Sequence, residues 1–146
     1  MEKKFQYNDG GRKEAGYKGN TGDCGVRALS IALELPYQEV YDKVNELCKS
    51  ERKSKTRSGK SNARTGIHNH TFKRIAESYG LKWNPTMFIG QGCKVHLKSE
   101  ELPKGRIICN VSKHYVAVID GVINDLDDCS REGTRCVYGY FEKATL

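Results

Sequence analysis

Apolar residues recur every three or four positions in the first half of the chain, which is the spacing of one face of an α-helix. The pattern predicts three helices, over residues 25–35, 36–48 and 69–79. Pro36 suits the first turn of the second helix, and Gly80 provides a stop for the third. The first half is therefore expected to be helical.

After Gly80 the pattern changes to short β-branched and aromatic runs separated by Pro, Gly and Asp, which is typical of strands. These runs cover residues 81–84, 86–89, 94–97, 106–111, 114–119, 122–126 and 136–142. Helices first and strands second predict an α+β fold, with N-terminal helices packed on a C-terminal antiparallel sheet.

The length of 146 residues fits a single domain. Residues 1–20 show no usable periodicity and are interpreted as an N-terminal arm. Residues 49–66 are interpreted as a basic flexible loop, because the stretch from Lys49 to Arg64 holds seven basic residues against one Glu and carries most of the net charge of +7. This loop lacks an apolar anchor that could offset the entropy cost of ordering it.

Composition favours a globular protein, with 37% hydrophobic and 29% charged residues. No apolar run approaches the roughly 20 residues that a membrane span needs, and the first residues lack the apolar region of a signal peptide. A cytoplasmic location is therefore expected, and the six cysteines of the chain are expected to be free thiols. We expect no membrane contact and no cofactor.

Cys24 lies where the first helix is predicted to begin, with Thr21 or Asp23 as the N-cap. The positive end of a helix dipole lowers a thiol pKa and favours the nucleophilic thiolate. Gly22 and Gly25 on either side are expected to let a substrate backbone approach the sulfur. The alternative is that Cys24 is a small buried apolar residue beneath the helix.

His114 begins an apparent hairpin whose turn is Asp120-Gly121, a dipeptide favoured in two-residue type I′ turns. If these two residues form the turn, the numbers of paired residues sum to 241. His114, Asp125 and Asp127 then share one sheet face, where a carboxylate could orient the imidazole. The alternative is a surface histidine at a strand end.

These features together resemble the papain-like cysteine peptidases: a cysteine opening a helix in GDCGVRAL, a histidine opening a strand in HYVAVI, and an acid on the next strand in VINDL. The likeness is to small bacterial and bacteriophage members with a GDC-x-x-RA motif, and covers about residues 20–142. It implies a papain-like fold and a thiol protease or related hydrolase, with Cys24 as nucleophile, His114 as general base and acid, and Asp125 as the orienting residue. Asp127 is the reserve acid.

In papain-like enzymes a Gln six residues before the cysteine usually completes the oxyanion hole, but Lys18 stands there in this sequence. Asn20, four residues before the cysteine, carries an amide that could donate an equivalent hydrogen bond. A protein or peptide substrate follows from the same resemblance.

Two other functions stay open at this stage. The segment from Lys49 to Arg64 could bind nucleic acid or an acidic partner through its charge, which would suit a binding module engaging nucleic acid or a host protein without strong catalysis. A zinc site is the weaker alternative, because no CxxC or HExxH pattern accompanies the cysteines and histidines. These candidate ligands are Cys93, Cys109, Cys129, Cys136, His68, His70 and His96. No metal site is predicted.

Overall fold

A computed structural model describes residues 3–18, 22–51 and 60–144. Within these ranges the helices are α1 (Cys24–Leu33), α2 (Tyr37–Cys48) and α3 (Asn69–Ser78), with one 3₁₀ turn at Ser99–Glu101. The strands are β1 (Phe5–Tyr7), β2 (Leu81–Pro85), β3 (Arg106–Val111), β4 (His114–Ile119), β5 (Val122–Asp125) and β6 (Gly139–Lys143). The α+β prediction is confirmed, and each predicted helix is present to within two residues at either end. None of the described helices is long and apolar enough to cross a membrane.

The six strands form one sheet in the order β1-β5-β4-β3-β6-β2. Its neighbours are antiparallel except β1 and β5, which are parallel. The prediction of a wholly antiparallel sheet preceded by an arm is therefore wrong at the N-terminus. A strand of three residues is too short to show alternation, and parallel pairing leaves no hairpin signal in the sequence.

Two of the predicted strands do not form. After Pro85 the chain leaves the sheet, and Met87, Phe88 and Ile89 are exposed. Residues 94–97 make only an isolated bridge, between His96 and Cys136. Leu97 in this stretch is fully buried against the outer face of the sheet, so the apolar character of the run reflects packing rather than strand pairing.

Helix α1 is the centre of the molecule. Gly25 through Ala32 are all buried, between α2 on one side and strands β3 and β4 on the other. Because α1 is buried on all sides, its position is fixed by packing, and its N-terminus lies at the end of the sheet where β4 begins. A second, smaller core on the opposite face of the sheet includes Val116, Val118 and Ile123.

The hairpin between β4 and β5 has the predicted turn and register. Asp120 and Gly121 both have positive φ, 49° and 82°, as a type I′ turn requires. The ladder pairs Ile119 with Val122 and Ala117 with Asn124, so each pair sums to 241. This register brings the end of β5 beside the start of β4.

The basic segment is less detached than its composition predicts. Residues 52–59 lie outside the described ranges, but Ala63 is fully buried and Ser61 is nearly so. Ser61 donates its backbone N–H and its hydroxyl to the buried carboxylate of Glu51, which also accepts from the Thr71 hydroxyl. The segment is therefore anchored by polar contacts, which the distribution of apolar residues in the sequence does not indicate.

Cys93 and Cys136 form a disulfide, which contradicts the expectation of six free thiols. The other four cysteines are free; Cys48 and Cys109 are buried, and Cys24 and Cys129 are partly exposed. The bonded residues are 43 apart in sequence, and their pairing follows from the bridge between residues 96 and 136, which no spacing rule predicts.

Candidate active site

Cys24 is the first residue of α1, as predicted, and its sulfur interacts with the His114 imidazole at the start of β4. The backbone N–H of Tyr115, the next residue, also helps to lower the pKa of this thiol. His114 directly follows the two-residue turn that joins β3 to β4, where Lys113 has a φ of 56°. A tight turn and a helix terminus therefore bring the thiol and the imidazole together.

The His114 ring also meets Asp125, the last residue of β5. His114 Nε2 lies 2.6 Å from Asp125 Oδ2, a short charge-assisted hydrogen bond. This bond directs Nδ1, the remaining ring nitrogen, away from the carboxylate. The structure thus brings together the predicted set of Cys24, His114 and Asp125.

These contacts shift the pKa values of both members of the thiol–imidazole pair. Burial alone would raise the pKa of Cys24, but the hydrogen bond and charge of His114 outweigh it and lower the pKa below the ordinary 9.0. Burial alone would lower the pKa of His114, but its hydrogen bonds to Asp125, Cys129 and Cys24 raise it to about 11. Both shifts favour a thiolate–imidazolium pair near neutral pH.

Arg27 is a site residue whose role the sequence interpretation missed, although it stands in the GDCGVRAL motif. Its guanidinium bridges Asp23 Oδ1 at 3.0 Å and Asp125 Oδ1 at 2.5 Å. Asp23 is fully buried and does not cap the helix with its side chain; it also accepts from Arg12 and from the Tyr37 hydroxyl. Helix α1 is therefore fastened to the strand that carries the orienting acid.

The structure does not place the other two predicted site residues, Asp127 and Asn20, in the candidate site. Asp127 is exposed, because β5 ends at Asp125 and the chain turns before residue 127 can reach a position opposite His114. Asn20 lies outside the described residues, so the oxyanion prediction stays a prediction. Lys18, at the usual Gln position, is exposed, and its backbone oxygen accepts from Arg64.

The glycines beside Cys24 have a packing role that the sequence interpretation did not include, while their role in substrate access stays a prediction. A Cβ on Gly25 would lie 2.9 Å from Ile67 Cδ1 and 3.2 Å from the Phe72 ring. A Cβ on Gly22 would lie 2.5 Å from the backbone oxygen of Thr65. Both glycines let α1 sit against the segment that precedes α3.

Cys129, in the loop after β5, is a second thiol beside His114. One nitrogen of His114, a carboxylate oxygen of Asp125 and Cys129 Sγ all lie within 4.8 Å of one another. In the described part of the chain this is a donor set that could hold a metal ion. Of the cysteines considered for zinc from the sequence, Cys93 and Cys136 are bonded to each other, and Cys109 is buried within β3.

Comparison of the chain with protein-family models, curated proteins and solved structures found no significant match. The papain-like resemblance therefore remains a prediction from the sequence, and the candidate site is argued from its own geometry.

Proposed function

We propose that the protein is a cysteine hydrolase of the papain-like type that cleaves a peptide, isopeptide or other amide bond through an acyl-enzyme. The observation that carries the proposal is the placement of Cys24, at the start of a buried helix, against an imidazole that also bonds to Asp125 at 2.6 Å. A nucleophile, its base and an orienting acid in contact are the arrangement that acyl transfer to sulfur requires. A bacteriophage origin stays part of this proposal on the sequence motif alone.

The proposed reaction has two steps, acylation and deacylation of Cys24, and His114 transfers one proton in each step. The Cys24 thiolate attacks the carbonyl carbon, and unpaired backbone N–H groups in the first turn of α1 stabilise the oxygen that becomes negative. The imidazolium of His114 gives its proton to the leaving nitrogen as the C–N bond breaks, which leaves a thioester on Cys24. Water then attacks the thioester and gives a proton to His114, which frees the acid and restores the thiolate. An amine in place of water gives transfer instead of hydrolysis.

Asp125 and Arg27 act on this chemistry through His114. Asp125 holds the ring and stabilises its charged form, while Arg27 holds the second oxygen of the same carboxylate. Arg27 is therefore a positioning residue, because its ion pairs are with Asp23 and Asp125; its charge also helps to lower the pKa of the Cys24 thiol.

Labelling by a thiol-directed acylating probe tests the proposal. Cys24 should react faster than the other free cysteines in the folded protein, and at the same rate as them after denaturation. His114→Ala should slow the labelling of Cys24 by about a hundredfold or more, the usual contribution of a general base. Cys129→Ser is the matched variant that decides which thiol beside His114 is the nucleophile. Preferential labelling of Cys129, or equal labelling of all folded thiols, would contradict the proposal.

A second candidate is a catalytically weak binding module that engages nucleic acid or a host protein through the basic segment from Lys49 to Arg64. The exposure of Lys18 at the usual oxyanion position supports it, because an ammonium there supplies no amide donor. Nucleic-acid affinity should then fall steeply with salt and disappear when the segment's lysines and arginines are changed to Gln. Retained thiol reactivity with no affinity at low salt would favour the hydrolase.

A cytoplasmic location is also proposed rather than observed. The Cys93–Cys136 disulfide counts against it, since the reducing cytosol normally keeps structural thiols reduced. Counting free thiols in protein taken directly from cells tests the location. Protein that keeps the disulfide has four free thiols, as expected in an oxidising compartment, and fully reduced protein has six, as expected in the cytosol.

A further inference from the structure

The second thiol beside His114 has no part in the proposed hydrolysis. Cys129 lies in the loop after β5, is partly exposed and lines a surface cavity of about 340 Å³ together with His114 and Asp125. Its loop is held in place by Arg135, which donates to the backbone oxygen of Cys129 at 3.2 Å and to that of Ser112 at 2.6 Å. Ser112 belongs to the turn that precedes His114, so the thiol and the imidazole are supported by the same contacts.

We propose that His114, Asp125 and Cys129 form an inhibitory Zn²⁺ site that excludes the catalytic arrangement of His114. Imidazole nitrogen, carboxylate oxygen and thiolate sulfur are the three ligand types that zinc takes from proteins. Three protein ligands and a position open to the cavity leave room for a water as the fourth ligand. The binding part of the inference does not depend on the proposed hydrolase activity; the inhibitory part does.

The separations suit a tetrahedral ion. Zinc ligands at about 2.0–2.3 Å from the metal are about 3.4–3.6 Å apart. The three donor atoms lie within 4.8 Å of one another, and His114 Nε2 and Asp125 Oδ2 are 2.6 Å apart. That pair has to open by about 1 Å and the sulfur has to approach by a similar amount or less. Side-chain rotation at the edge of a cavity can supply such movements.

The carboxylate is prepared for metal binding by its other contact. Asp125 Oδ1 is engaged by Arg27, while Oδ2 faces His114, so a metal would replace only the proton between Oδ2 and the ring. Partners behind a ligand orient it, and their loss typically costs ten- to a hundredfold in affinity. Against the site stands the positive charge of Lys113, Arg131 and Arg135 around the same cavity, which the Cys129 thiolate and Asp125 have to offset.

Inhibition follows from what the metal displaces. With zinc on Nε2, the ring loses its bond to Asp125. The proton left on Nδ1 can then reach the leaving nitrogen only if the ring becomes an imidazolate, which is far less favourable than release from an imidazolium. Zinc therefore turns His114 into a neutral, metal-bound ring that is a poor acid for the leaving nitrogen and has no free nitrogen to accept a proton from water.

Cobalt titration of the full chain, freed of metal by a chelator and kept without added thiol, tests the binding. Co²⁺ should produce a sulfur-to-metal charge-transfer band that zinc abolishes by displacement. Cys129→Ser should remove the band, and Asp125→Asn should weaken cobalt affinity about tenfold or more. Asp127→Asn, which changes a neighbouring carboxylate outside the proposed ligand set, should leave the affinity within about twofold, and Cys24→Ser should keep the charge-transfer band.

Circular dichroism checks that each variant folds. If Cys129→Ser does not fold, Cys129→Asp keeps an oxygen ligand and should bind cobalt without the charge-transfer band. No band in the wild-type protein, or a band that survives in Cys129→Ser and vanishes in Cys24→Ser, would overturn the site. Zinc should also slow probe labelling of Cys24 in the wild type at least tenfold, and by less than twofold in Cys129→Ser. Cobalt binding without preferential labelling of Cys24 would leave the metal site intact and count against the hydrolase alone.

Discussion

Arg27 Nη1 lies 2.5 Å from Asp125 Oδ1, which joins the central helix to the strand that orients the imidazole. The guanidinium side chain is 7% exposed and also binds Asp23, which is fully buried. The arrangement of the site therefore depends on a buried residue whose ion pairs are with two carboxylates, not with the thiol or the imidazole.

Changing Arg27 to Met should therefore damage both stability and reactivity. It leaves two buried carboxylates without their shared cation, and breaking a buried ion pair costs about 3–5 kcal/mol. Urea denaturation should register that loss, while the matched variant Lys49→Met, which breaks an exposed pair with Glu46, should change stability by less than about 1 kcal/mol. Arg27→Lys should recover part of the stability but not the two-sided geometry. Equal stabilities for Arg27→Met and the wild type would show that the network is dispensable.

Cys24 should remain reactive toward alkylating reagents at pH values well below those at which ordinary thiols are protonated and stop reacting. The His114 hydrogen bond and charge lower the thiol pKa despite burial, so the thiolate survives as pH falls through 9.0 and is lost only at a lower pH. In His114→Ala the alkylation rate should instead fall about tenfold per pH unit below an ordinary or raised thiol pKa. Rates of alkylation by iodoacetamide across pH 5 to 10, with a chelator present, measure the difference. Superimposable profiles for the two proteins would rule out the ion pair.

Glu51 should make the free energy of unfolding decrease at acid pH. Burial would raise its pKa, but hydrogen bonds from Ser61 and Thr71 lower it from 4.5 to about 2 in the folded protein. Because the folded pKa is depressed, the stability it contributes is fully present above pH 4.5 and is lost as pH falls toward 2. The stability gap between wild type and Glu51→Gln should thus narrow between pH 6 and pH 3. The exposed Glu46→Gln variant is the control, and a gap that does not change with pH would refute the assignment.

The N-terminal strand should support Asp125 through the backbone. Asn8 donates its N–H to the Asp125 carbonyl at 2.9 Å, directly after the parallel pairing of Tyr7 with Asp125. Asn8→Pro removes this donor, whereas Asn8→Ala keeps it and loses only the side chain. Proline should cost about 1–3 kcal/mol more than alanine in urea denaturation, the penalty for an unsatisfied buried backbone group. A proline variant as stable as the alanine variant would mean that the edge bond contributes nothing.

Local patterns predicted the helices and the hairpin register, because these depend on periodicity and on a two-residue turn. The set of Cys24, His114 and Asp125 needed the resemblance to papain-like peptidases as well. The choice between Asp125 and Asp127 did not follow from the register alone, because it depends on where β5 stops pairing. The contacts of Arg27 with two acids, one of them 98 residues away, leave no periodic signal. The nearness of Cys129 is likewise set by a loop conformation.

The parallel pairing of β1 with β5 also constrains how the protein is made. During synthesis Ile123 emerges more than a hundred residues after its partner Phe5. Contacts between such distant segments close late and slow folding. Because Asp125 lies in the strand that β1 completes, a growing chain carries its Cys24 thiol through the synthesis of about ninety further residues before His114 and Asp125 arrive. The topology thus delays the chemistry until β4 and β5 have been made.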